Sequence, residues 1–259
     1  MRVGEYMERL KAAGRSAGFE IGFYGQVEEW GLPVLERKSE GSLGHVYVSA
    51  GVHGDEPAAC LAIVQLLRQG GFPDALDCTI LPMVNPVGLQ ARTRVNGAGI
   101  DLNRDYGDAP KAPETRAQLD WLKGRGFDLA ICLHEDSDGE GFYLYSHFKD
   151  ESLKVLETAA LVHAAQVMPI DGRSEIDGFP AREGRVFPPK ALLAADRNDL
   201  PEALHLYFQH GVEGVFTTET PSGWPVVDRI EAHVRATRAI LETYLEKRVA
   251  GRWGTHRAG

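Results

Sequence analysis

Two short β-rich runs, His45 to Val52 and Cys78 to Val84, bracket the apolar segment Ala58 to Gln69, and this arrangement constrains the fold more than any other feature of the chain. Strand, helix and strand in that order read as a βαβ unit, which suggests a parallel pair in one sheet. The helix has clear ends. Pro57 suits a first helical position, where its missing N–H costs nothing, and Asp55 and Glu56 bring negative charge to the positive end of the helix dipole. Gly70 and Gly71 supply the stop.

The same alternation continues along the chain. Gly4 to Ala17 predicts an amphipathic helix, and Glu20 to Val27 and Leu32 to Arg37, split by the turn-like Glu28-Glu29-Trp30-Gly31, predict an edge hairpin. A helix over Pro113 to Lys123 feeds a strand over Asp128 to Leu133, followed by a strand at Gly141 to Ser146 and a helix over Glu151 to Val167. Asp171 to Pro189 is rich in Gly, Pro and charge and reads as an irregular loop. A helix over Pro201 to His210, a last strand at Gly214 to Thr218 and an amphipathic helix over Pro225 to Arg248 complete the pattern. No internal repeat, low-complexity tract or linker interrupts it, so residues 1–259 are expected to form a single three-layer α/β domain.

Composition narrows the function classes. The 259 residues are 43% hydrophobic and 25% charged, ordinary for a soluble globular enzyme. Twenty-eight basic against 37 acidic residues give a net charge of -9, which disfavours a nucleic-acid or anionic-membrane partner by long-range repulsion. Met1 to Leu10 has no apolar leader core, and no apolar run reaches the roughly eighteen residues of a membrane span, so a cytoplasmic protein is expected. Cys60, Cys78 and Cys132 lie in apolar runs, and their odd number and lack of a C-x-x-C pair predict reduced core residues.

Three polar clusters interrupt this apolar framework. His53 and Glu56 stand where the first strand of the βαβ unit turns into its helix, a rigid place for an imidazole and a carboxylate to hold a metal. His134, at the end of the apolar run Leu129 to Leu133, is the histidine whose context suits a third ligand, since strand ends are where open α/β proteins place chemistry. The segment Asn85-Pro86-Val87-Gly88, through Arg92, Arg94 and Asn96 to Asp101-Leu102-Asn103-Arg104, is too polar for packing alone. Guanidinium groups with a nearby amide can receive a carboxylate in a bidentate manner. In Thr217-Thr218-Glu219-Thr220-Pro221 an acidic residue ends an apolar strand, and a carboxylate beside a metal can take a proton from an attacking water and pass it to a leaving amine.

The order H-x-x-E, N-P-x-G with arginine and D-L-N-R, strand-end histidine and T-E-T resembles the zinc carboxypeptidase family, the M14 metallopeptidases, from Val46 to Pro221. The resemblance implies an α/β fold with a mixed sheet of about eight strands between helices. It implies one Zn2+ per chain on His53, Glu56 and His134, with Glu219 as general base. It further implies that Asn103 and Arg104 grip the substrate carboxylate, that Arg94 polarises the scissile carbonyl, and that Asp101 orients His53 from behind. The compact length is closer to the bacterial murein-peptide amidase and deacylase-like branches than to the secreted digestive enzymes. The expected activity is a metallocarboxypeptidase acting on a small peptide with a free carboxylate. The alternatives are an N-acyl amino acid deacylase of the succinylglutamate desuccinylase or aspartoacylase kind, and a non-catalytic ligand-binding module. Oligomeric state stays open. The acidic run Glu135 to Glu140 reads either as a solvated loop or as a selector for an amine-bearing substrate or cation, and Tyr143, Tyr145 and Tyr207 are the aromatic candidates for capping a substrate.

Overall fold

The computed structural model describes residues 2–189 and 199–251. Its strands are β1 (Glu20–Val27), β2 (Trp30–Arg37), β3 (His45–Ala50), β4 (Asp77–Leu81), β5 (Leu129–Asp136), β6 (Tyr143–Phe148), β7 (Glu175–Ile176), β8 (Phe179–Arg182), β9 (Arg185–Val186) and β10 (Gly214–Pro221). They form one mixed sheet in the order β1-β2-β4-β3-β5-β10-β6-β9-β8-β7, with β4, β3, β5 and β10 parallel at its centre. Among the described residues the helices are α1 (Val3–Ser16), α2 (Pro57–Arg68), α3 (Pro86–Ala91), α4 (Pro113–Leu122), α5 (Lys154–Ala164), α6 (Glu202–Gln209) and α7 (Val226–Val249). None is long and apolar enough to cross a membrane.

Strand alternation sorts the core into two layers. Val46, Val48 and Ala50 of β3 and Leu129, Ile131 and Leu133 of β5 face one way, onto apolar residues of α1, α2, α5 and α7. Tyr47 of β3 and Ala130 and Cys132 of β5 face the other way, onto a second cluster with Leu122 of α4 and Leu204 and Leu206 of α6. The expected three-layer α/β architecture and the βαβ unit around α2 are therefore present. The three cysteines are buried and free, and burial pushes the Cys78 thiol up to about 12, as inert core residues require.

Two expectations need correction. The sheet has ten strands rather than about eight, and the segment Asp171 to Pro189, read as an irregular loop, contributes three of them. Its glycines and charges are turn chemistry: Asp177-Gly178 and Glu183-Gly184 are two-residue connections with positive φ at all four positions, the geometry of tight hairpin turns. Strands β5 and β10 also run further than expected, through Asp136 and Pro221, so His134, Glu135 and Glu219 lie within the ladder with fixed orientations.

Candidate active site

From β3 the chain crosses through α2 to β4 on one side, then returns through α4 to β5 on the other side of β3. The carboxyl ends of β3 and β5 thus flank the point where strand order reverses, the crevice in which open α/β sheets bind ligands. Glycines let the chain turn there. Gly51 sits at φ +69°, and a Cβ on it would lie 2.5 Å from Cys60 Sγ. Gly54 passes so close to α3 that a Cβ would fall 1.9 Å from the Gly88 carbonyl carbon. The turn carrying His53 and Glu56 is thereby wedged against the Asn85 to Gly88 segment. Asn85 reinforces the wedge by accepting from the Gly88 amide at 2.8 Å and donating to the Val52 carbonyl at 3.3 Å.

His53, Glu56 and His134 are all buried, and one ligand atom from each lies within 4.8 Å of the others. His53 Nδ1 is 2.5 Å from Glu56 Oε1, and His134 Nδ1 is 3.2 Å from Glu56 Oε2. Despite that approach, Oε2 is buried without a hydrogen bond of good geometry among the described residues. Burial works against charge on all three groups, but mutual attraction prevails: the carboxylates of Glu56 and Asp101 raise His53 to about 9, and the two imidazoles lower Glu56 to about 2. The positive charge that Glu56 draws from the imidazoles is what a divalent cation would supply. Two imidazole nitrogens and one carboxylate also form the donor set of a catalytic zinc site with a position left open, so these residues fit zinc. His53 Nε2 lies 2.9 Å from Asp101 Oδ1, so when a metal displaces the Nδ1 proton this carboxylate would keep the remaining proton on Nε2.

The expected residues converge around this triad. Glu219 is the direct register partner of His134 across the parallel β10–β5 pair, and it lines the same cavity of about 540 Å³. Burial, with Glu56, Asp136 and Asp177 nearby, pushes Glu219 well above the usual carboxylate range, although His134 opposes the shift. Arg94, Asn103 and Arg104 line the cavity as well. Arg94 Nε donates to Asp101 Oδ2 at 3.0 Å, so Asp101 holds His53 with one oxygen and Arg94 with the other. Asn103 Oδ1 accepts from the Glu202 amide at 3.0 Å, and among the described residues no hydrogen bond engages its NH2 group, which could meet a ligand. Arg104 is exposed, with one guanidinium nitrogen donating to the Asn103 carbonyl at 2.9 Å and Nε 3.9 Å from Asp199, a loose placement that an incoming carboxylate could replace. Arg92 is exposed at the left-handed end of α3 and does not line the cavity.

Tyr143 and Tyr145 line the cavity, but their hydroxyls donate to Asp136 and Asp177 at 2.9 and 2.6 Å, and the Tyr207 ring sits tilted at 48° against that of His147 with centroids 5.9 Å apart. The acidic run divides: Glu135 is buried, Asp136 accepts from Tyr143 and lies 3.5 Å from Arg173, and Ser137 and Asp138 are exposed. Sequence reasoning missed the supports behind the site. Glu202 accepts from Tyr47, Ser49 and Gln118 at 2.6, 2.8 and 2.6 Å, bolting the start of α6 beneath Asn103. His233 is fully buried and kept neutral, its pKa lowered by burial to about 3, with its two ring nitrogens each 3.1 Å from the hydroxyls of Thr218 and Thr220, the neighbours of Glu219. Only T-E-T itself carried a local signal for this support.

Comparison with known proteins places the chain by family and fold. Residues 42–172, just over half of the chain, match the succinylglutamate desuccinylase/aspartoacylase catalytic domain. The chain belongs to that family. Among curated relatives of this desuccinylase/aspartoacylase domain, carboxypeptidase SOL1 of Arabidopsis thaliana is 25% identical over 58% of the chain and 35% of its own length. Carboxypeptidase M of Mus musculus is 31% identical over 40% of the chain and 30% of its own length. The chain therefore spans about a third of the length of the curated relatives it matches. The crystal structure of a candidate metallopeptidase from Shewanella amazonensis superposes with a TM-score of 0.80 at 22% identity, covering 93% of this chain and 92% of that one. The desuccinylase/aspartoacylase domain thus has here the carboxypeptidase-like fold that the motif order implied.

Proposed function

We propose that the chain is a single zinc-dependent hydrolase domain that cleaves an amide bond next to a free carboxylate, in the manner of a metallocarboxypeptidase. The observation that carries this reading is the meeting, in one cavity, of the His53-Glu56-His134 cluster with Glu219 on one side and Arg94, Asn103 and Arg104 on the other. Bound zinc would supply Lewis acidity and lower the pKa of a water molecule. The protein's own groups do the rest. Asn103 and Arg104 bind the substrate carboxylate and fix the adjoining amide over the ligand cluster. Arg94, held by Asp101, stabilises negative charge developing on the carbonyl oxygen. Glu219, whose ionised form a bound divalent cation would favour against the effect of burial, accepts a proton from the attacking water at its carboxylate and delivers it to the leaving nitrogen.

The family match favours a second reading with the same chemistry, in which the amide joins a simple acyl group to an amino acid. A panel of short peptides, their C-terminal amides and N-acyl amino acids, assayed with zinc-loaded protein, separates the two. Release of the last residue from free acids, with far slower turnover of the amides, is the expected result. Turnover confined to N-acyl amino acids selects the deacylase. Bound zinc with no turnover across the panel contradicts a hydrolase and leaves a binding module.

A further inference from the structure

Glu56 occupies the N-cap position of α2, yet its side chain makes no capping bond because it is turned toward the two histidines. The exposed amides of a helix start need acceptors, and a buried one left unpaired is costly. A different residue meets that need. Glu135 Oε1 accepts from the Ala58 amide, in the first turn of α2, at 2.6 Å. Glu135 follows His134 in β5, and strand alternation sends its side chain to the opposite face of the sheet, beneath the start of α2. Its other oxygen pairs with Arg229 of α7. The Glu135 side chain is completely buried and that of Arg229 nearly so, and Arg229 Nε has no hydrogen-bond partner among the described residues. Among the described residues this carboxylate is the guanidinium's hydrogen-bond partner.

We infer that Glu135 is a positioning residue for the metal cluster: it caps α2 in place of Glu56 and so frees Glu56 to act as a ligand. One side chain thereby ties the turn bearing His53 and Glu56 to the strand bearing His134, while Arg229 fixes that side chain from below. The inference rests on the reading of the cluster as a zinc site, and it concerns how the ligands are held rather than the reaction. Without the cap, Glu56, as the N-cap residue, is placed to accept from the bare helix start, and its rotation toward the Ala58 amide would remove one ligand.

The test is zinc affinity, measured by competition with a chromophoric chelator, for wild type, Glu135→Met, which has no oxygen to accept from the Ala58 amide, and the double variant Glu135→Met/Arg229→Met. Circular dichroism and thermal melting of the metal-free proteins score the folded fraction. The double variant removes the whole ion pair, so it leaves no unpaired buried charge if the single substitution fails to fold. The expected result is a zinc Kd raised about 10- to 100-fold in the folded variants, the range seen when groups behind metal ligands are removed. A purely structural role would lower the melting temperature and leave the Kd of the folded protein unchanged. Tight zinc binding by wild type with an equal Kd in a folded variant overturns this inference alone. A wild type without zinc affinity overturns the metal reading and the inference with it.

Discussion

Glu219→Gln is expected to retain zinc while turnover falls by roughly 10²- to 10⁴-fold, the usual contribution of a positioned proton-transfer group. The substitution is nearly isosteric and leaves β10 paired with β5 and β6 on either side, so the cavity keeps its shape. Thr218 and Thr220 keep their contacts to His233, which holds the strand on the face away from the cavity. What disappears is the capacity to accept and return a proton beside His134. Because the loss lies in the chemical step, kcat should carry most of it and KM little. Steady-state kinetics and metal content measured on the same preparation check this. Wild-type turnover with zinc bound would remove Glu219 from the mechanism.

Arg104→Ala is expected to lower kcat/KM by about 10²-fold on substrates with a free carboxylate, the scale of a lost charge-assisted bidentate interaction. C-terminal amides should be nearly insensitive to it. The structure sharpens this expectation. Arg104 is exposed, 3.9 Å from Asp199 and bonded at 2.9 Å only to the carbonyl of its neighbour Asn103 among the described residues, whereas Arg94 is already committed to the Asp101 carboxylate at 3.0 Å. Arg104 is therefore the guanidinium free to reorganise around a substrate, and its loss should disturb neither His53 nor the fold. Equal losses on free acids and amides would contradict a role in carboxylate recognition.

How much of this was legible in the sequence depends on the distance over which each feature is encoded. The βαβ unit around α2 follows from local periodicity and from end signals such as Pro57 and Gly70. Strand-end placement of His53 and His134 follows from the apolar runs that precede them. Their convergence at the sheet reversal required the strand order, which local patterns do not contain. The hairpins of β7, β8 and β9 were misread because Asp177-Gly178 and Glu183-Gly184 join strands of only two to four residues, too short for a period-two pattern to emerge. Supports built from distant residues had no local signature. Glu135 and Arg229 lie 94 residues apart, as Asn103 and Glu202 lie 99 apart, and each pair is defined only when the helices dock on the sheet. Glu135 stood within an acidic run that suggested solvent, while alternation along β5 turned it inward beneath α2.

The most direct test of the central claim is the zinc content of wild type and His134→Ala, determined by elemental analysis on protein prepared without chelators or histidine-bearing tags. The account predicts about one zinc per wild-type chain, as three converging protein ligands require, and its loss from the variant. Wild-type protein without zinc, or zinc retained in full by His134→Ala, would contradict the ligand assignment and the hydrolase reading built on it.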